Sequence, residues 1–266
     1  MNVKPRSLQR WTIGSASLLA LTVGLTACPG PQPDPNAPIL TRASKSSAIA
    51  ISSDDKYTVQ VNPENDSITV LKTSDNTVVV NNFNVGDEPV SVVVHPDNTT
   101  AFVANRAAGT IVKITNFFTT PSIAGTVNVG SEPTGIALSP RGDSLVVAEF
   151  AESRVSLVKT KDMTVNAFTP VKNPRAVAIT NNGDKSDTDE KVVVTEFYGR
   201  ITGAEATDSS RTGAVRLFNL EGLSGAGEVL FPPRARRHLR TSGCAKHTGE
   251  SESGFPQSTR ERRRCR

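Results

Sequence analysis

Sulfur, imidazole and aromatic rings are scarce in this chain. Cysteine occurs three times in 266 residues, at Cys28, Cys244 and Cys265, so residues 29–231 contain none. That excludes a disulfide scaffold for the body. The same stretch holds a single histidine, His95, which is poor material for a His- or Cys-ligated metal centre or electron carrier. The chain has one Trp and two Tyr, while Val, Thr, Asn and Gly are plentiful. This mix disfavours a helical bundle and suits short strands joined by turns. Glycine-flanked serine elbows and Gly-rich phosphate loops are absent, and with them the signatures of hydrolase nucleophiles and phosphate cradles.

The formal charge of +4 is concentrated at the two ends. Residues 1–28 carry Lys4, Arg6 and Arg10 with no acid, and residues 232–266 carry ten Lys or Arg against three Glu, which leaves residues 29–231 at −6. The body therefore has no electrostatic footprint for nucleic acid.

A basic stretch, MNVKPRSLQR, precedes the apolar run WTIGSASLLALTVGL over residues 11–25. The run is too short for a comfortable membrane span and has the layout of a signal peptide. Leu25-Thr26-Ala27-Cys28 follows and resembles the bacterial lipobox. The resemblance implies cleavage before Cys28 and a diacylglycerol on its sulfur. Membrane lipid held through acylated Cys28 is thus an expected partner, since acyl chains contribute about 0.8 kcal/mol per buried CH₂. Pro29, rather than Asp, follows the cysteine, which resembles an outer-membrane sorting pattern if the cell has two membranes. Residues 29–38 hold five prolines, an extended polyproline spacer rather than a core segment. The expected organisation is a signal peptide at 1–27, a Pro-rich tether at 28–45, blades over 46–231 and a basic tail at 232–266.

The body repeats itself. VGDEPVSVVVHPDNTTAFVAN at 85–105 is echoed by VGSEPTGIALSPRGDSLVVAE at 129–149, with weaker copies at 48–62 and 176–197. Pro89, Pro133 and Pro174 lie 44 and 41 residues apart, close to the period of a propeller blade. In the third copy four strands are expected, at Gly135–Ser139, Leu145–Glu149, Arg154–Lys159 and Thr164–Val171, separated by turn clusters such as Pro140-Arg141-Gly142-Asp143. Such a four-stranded meander must stack on like units to bury both faces. The predicted fold is all-β, a β-propeller of four-stranded antiparallel blades.

Phe102-Val103-Ala104-Asn105, followed by Gly109-Thr110-Ile111-Val112-Lys113-Ile114, resembles the YVTN-type propeller repeat of bacterial and archaeal surface proteins. At the asparagine position Asn62 keeps the residue, whereas Glu149 and Glu196 depart from it. The resemblance covers roughly residues 46–231 and implies a propeller, commonly seven-bladed, with a binding role. Seven blades of about 42 residues need close to 300, so about four are expected here. An incomplete larger ring is the favoured reading, and a closed four-bladed ring is the alternative. An open ring would expose apolar end faces and favour self-association. After Phe231 the β-pattern stops and Arg dominates. A shifted reading frame is the expected origin of this tail, the alternative being a basic arm for nucleic acid or anionic lipid.

Several candidate sites stand out. Asp184, Asp187, Asp189 and Glu190 form an acidic run that is a weak calcium candidate, without the spacing of a calcium loop, and a solvated turn otherwise. His95 falls where other repeats have Ser53, Ser139 and Thr180, so a turn role is expected. Arg141-Gly142-Asp143 spells an adhesion tripeptide but reads first as a turn. The longest excursion, Tyr198–Thr212, lies between a strand ending at Phe197 and one over Ala214–Asn219. It offers Tyr198, Arg200, Glu205, Asp208 and Arg211 as ligand contacts, or else is a plain insertion.

The leading expectation is an exported, envelope-located, lipid-anchored propeller that binds a protein, glycan or cell-envelope component, with no catalysis, cofactor or nucleic acid. The alternatives are an enzyme on the same scaffold, lactonase-like or quinone-dependent, and a structural envelope component. Catalysis would need polar groups at the inner ends of first strands, where the sequence places Ala48, Val90–Ser91, Thr134–Gly135 and Arg175–Ala176.

Overall fold

The computed structural model describes residues 34, 36–205, 210–225 and 227–231. The chain divides into a unit over Met1–Pro38 and one over Ile39–Arg266. In the first, Asn36 N donates to Asp34 Oδ1 at 2.8 Å, a local Asx turn. Cys28 lies outside the described residues, as does everything from 232 on.

In the second unit, strands follow one another as antiparallel meanders. A short strand β1 (Ser44–Lys45) comes first. The first blade is β2 (Ile49–Ile51), β3 (Tyr57–Asn62), β4 (Ser67–Lys72) and β5 (Val78–Asn84). The second is β6 (Pro89–Val94), β7 (Thr100–Asn105), β8 (Thr110–Thr115) and β9 (Ser122–Asn128). The third is β10 (Pro133–Leu138), β11 (Ser144–Glu149), β12 (Arg154–Lys159) and β13 (Thr164–Pro170). The fourth is β14 (Pro174–Ile179), β15 (Lys191–Ile201), β16 (Arg211–Asn219) and β17 (Gly227–Phe231), with β1 added on the free edge of β14. The fold is that of a β-propeller with four blades. Among the described residues no helix is long and apolar enough to cross a membrane.

Burial along the second strand of each blade reports the blade's place in the stack. In β7 and β11 every residue is buried, because a strand with a neighbouring blade on both sides must be apolar on both faces. Val103 and Ala101 pack toward the first blade, Phe102 and Ala104 toward the third. Leu145 and Val147 pack toward the second blade, Val146 and Ala148 toward the fourth. In β3 only Val59 and Val61 are buried, with Gln60 exposed between them. This is the period-2 pattern of a sheet covered on one side. The uncovered face of the first blade carries exposed Ile49 and Ile51, and that of the fourth exposed Phe197, Val229 and Phe231.

One expectation is corrected. The excursion Tyr198–Thr212 is strand at both ends: past a bulge after Glu196 the ladder resumes, Arg200 opposite Thr212 and Ile201 opposite Arg211. Gly199, at φ 62° and tight against the Thr212 carbonyl, makes the bulge, because a side chain there has no room. Residues 202–205 and 210 are not strand. Ser44 and Lys45, just before the expected start of the blades, pair with Ile179 and Ala178 of β14.

Candidate functional site in the fourth blade

The last residue of the second strand, or its equivalent before the bulge, is polar in all four blades, and buried in the second, third and fourth. Asn62 Nδ2 donates to Thr69 Oγ1 at 2.9 Å, and Asn105 Nδ2 to the Val85 carbonyl at 2.7 Å. Glu149, fully buried, receives Arg154 Nε at 2.5 Å, and Glu196 receives an Arg200 guanidinium nitrogen at 2.9 Å. Carboxylates thus replace amides where an arginine is at hand to balance the buried charge. Asn105 Oδ1, Glu149 Oε1 and Glu196 Oε2 keep no hydrogen-bond partner among the described residues. The Gly of the repeated Gly-x-Glu-Pro has its cause here. Gly86 lies over Asn105 and Gly130 over Glu149, each too close for a β-carbon. Glu88 and Glu132 that follow hold φ of 56° and 54°.

In the fourth blade this machinery opens onto the surface. Arg200 bridges buried Glu196 and Glu228 of β17, its Nε 3.0 Å from Glu228 Oε1. Arg211 donates to Glu205 Oε1 at 3.0 Å and to the Tyr198 carbonyl at 3.3 Å. Four of the five expected contacts, Tyr198, Arg200, Glu205 and Arg211, are therefore brought together, and Asp208 lies outside the described residues. A cleft of about 580 Å³ is lined by Lys172, Asn173, Tyr198, Gly199, Arg200, Ile201 and Arg211.

An aromatic cluster flanks the cleft. Tyr198 and Phe197, each 54% exposed, sit 5.0 Å apart by ring centroid, with Phe150 5.8 Å from Phe197 and the Arg175 guanidinium 5.4 Å from the Phe197 ring. Rings presented this openly beside fixed donors form a surface for stacking and hydrogen bonding. Lys172, Asn173 and Phe150 were not singled out from sequence. Phe150 belongs to the turn after β11, and only the stacking of blades brings it alongside, whereas Lys172 and Asn173 lead into β14, whose pairing with β15 sets Asn173 beside Phe197.

The acidic run is dispersed. Glu190 is buried and accepts from Thr180 Oγ1 and from Asn182 N. Asp184 and Asp189 share the Asn182 side-chain amide, at 2.9 and 2.7 Å. Asp187 accepts from Arg141 N at 3.1 Å, and burial raises its carboxyl above the ordinary value against the pull of the Ser139 and Arg141 hydrogen bonds. Among the described residues no group of three or more His, Cys, Asp or Glu is placed to hold a metal.

His95 has the expected turn position, its Nδ1 3.2 Å from Asp97 N and 3.1 Å from Asp97 Oδ2. Burial pushes the Asp97 carboxyl up, but hydrogen bonds from His95, Thr99 and Thr100 outweigh it and hold the group well below the usual carboxylate range. Arg141 of the Arg-Gly-Asp turn faces inward, its guanidinium on the Lys185 carbonyl at 3.0 Å.

No protein-family model and no curated protein matches the sequence. Among solved structures, the chain is similar to a candidate 6-phosphogluconolactonase from Bacteroides uniformis, with TM-score 0.52 and 15% identity over 71% of this chain and 55% of that one. It is also similar to a chain of the nidogen/laminin complex, TM-score 0.49 and 16% identity over 70% and 62%. A third likeness is to Kuenenia stuttgartiensis hydrazine synthase, TM-score 0.47 and 17% identity over 76% and 67%. The chain spans 55 to 67% of the length of these three structures. At such identities the first likeness supports the propeller fold alone.

Proposed function

We propose that this protein is an exported, lipid-anchored YVTN-type propeller that binds a glycan, protein or other cell-envelope component through the cleft beside Tyr198. The reading rests on one observation. The fourth blade presents Phe197 and Tyr198 openly beside Arg200 and Arg211, whose carboxylate partners fix them in place. Donors held by ion pairs lose little freedom on binding, so a ligand meets a preformed surface. The body's charge of −6 argues against nucleic acid as the ligand.

The test uses purified full-length protein and isolated cell-wall sacculi as the probe. Tyr198→Ala and Arg211→Ala are expected to weaken co-sedimentation at least about tenfold, the scale of one lost stacking or charged contact. Unchanged sedimentation, or none by the parent chain, overturns the envelope-binding reading. Anchoring is tested separately. Cys28→Ser should move the protein from the membrane to the soluble fraction and abolish palmitate labelling. Lactonase turnover by the parent chain would favour the enzyme instead.

A further inference from the structure

The segment leading into the first blade runs along the inner strands of the other three. Val92 N of β6 donates to the Ser47 carbonyl at 2.9 Å. Leu138 N of β10 donates to Ser44 Oγ at 2.8 Å. Ser46 and Val177 of β14 exchange backbone and hydroxyl hydrogen bonds, Ser46 N to the Val177 carbonyl at 2.9 Å and Val177 N to Ser46 Oγ at 2.9 Å. Asn181 Nδ2 grips the segment's backbone at the Leu40 carbonyl, 2.7 Å away. The first strands of a propeller otherwise leave one row of N–H and C=O groups unpaired toward the axis. Here one segment answers that row in three blades.

The seat is built for it. Gly135 in β10 has no room for a β-carbon, which would stand 2.8 Å from Ser46 Cβ and 3.2 Å from the Arg175 carbonyl. Glycine in a strand interior costs stability, and the passage of Ser46 between the third and fourth blades accounts for it. Only a small hydroxyl side chain both fits over Gly135 and reaches the Val177 amide.

The geometry points to Leu40–Ser47 as an internal latch. It pairs as a short strand with β14 of the fourth blade and takes one backbone N–H hydrogen bond each from β6 and β10. The latch ties together blades that the stacking of faces joins only pairwise. It is independent of the binding function proposed for the Tyr198 cleft.

Residue-resolved amide exchange on the full chain tests it. The Val92, Leu138 and Val177 amides should exchange through one shared opening. Ser44→Ala combined with Ser46→Ala should speed Leu138 and Val177 at least tenfold while β12 amides stay within twofold. A synthetic peptide of residues 40–47 at millimolar concentration should slow them again. Gly135→Val should act as the double variant does. Unchanged rates, or equal acceleration in β12, overturn the latch. If the variants do not fold, the parent chain decides: three unrelated exchange rates for Val92, Leu138 and Val177 overturn it equally.

Discussion

Gly130 lies directly over the carboxylate of Glu149, so close that a β-carbon at 130 would collide with it and with the Glu152 side chain. The two residues are 19 positions apart in sequence, yet each sets the other's identity. Gly130→Ala should therefore destabilise the body by roughly 1–3 kcal/mol, the usual range for overpacking. For a body of this size that is a melting-temperature loss of about 2–4 °C per kcal/mol, read by thermal denaturation.

Glu149 is fully buried and Arg154 is its ion-pair partner. Arg154→Ala leaves a buried carboxylate alone, at a cost of about 3 kcal/mol. Glu149→Gln combined with Arg154→Ala should recover part of that loss, because the amide carries no charge. A double-mutant cycle on urea midpoints checks it.

Asp97 and Asp187 should drive opposite pH dependences. The folded Asp97 carboxyl is held low, so its stabilisation is present above the ordinary carboxylate pKa of about 3.9 and is lost as pH falls through the lower folded value. Asp97→Asn should therefore cost most at pH 7, keep most of that cost at pH 3, and lose it only at lower pH still. Asp187 is raised by burial, so ionising it penalises the fold as pH climbs past about 4. Asp187→Asn should gain on the parent between pH 3 and 7, its Oδ1 still accepting from Arg141 N. Denaturant midpoints across that range decide both.

The stacking of blades was legible because its signal is local. The Pro140-Arg141-Gly142-Asp143 turn and the alternating apolar residues around it place β10 to β13 within about two residues. The buried polar residues at strand ends were visible only through a motif, Asn105 as its match and Glu149 and Glu196 as departures from it. A glutamate reads as solvated until the arginine that balances it is seen across a turn. The bulge at Gly199 was missed because Tyr198–Ile201 does not alternate, which is what a bulge does to a strand pattern. β1 was hidden for another reason: two residues carry no periodicity, and their partner strand lies more than 130 positions away.

The central claim is a stack of β-meanders whose apolar faces cover one another, and methyl–methyl NOE spectroscopy on Ile-, Leu- and Val-labelled protein tests it most directly. Methyls that alternate along β11 should divide between neighbours. Leu145 and Val147 should give cross-peaks to second-blade methyls such as Ile111. Val146 should give them to fourth-blade methyls such as Val192 and Val194. If Val146 and Val147 instead see the same neighbours, or see only their own blade, the stacked-blade account is wrong.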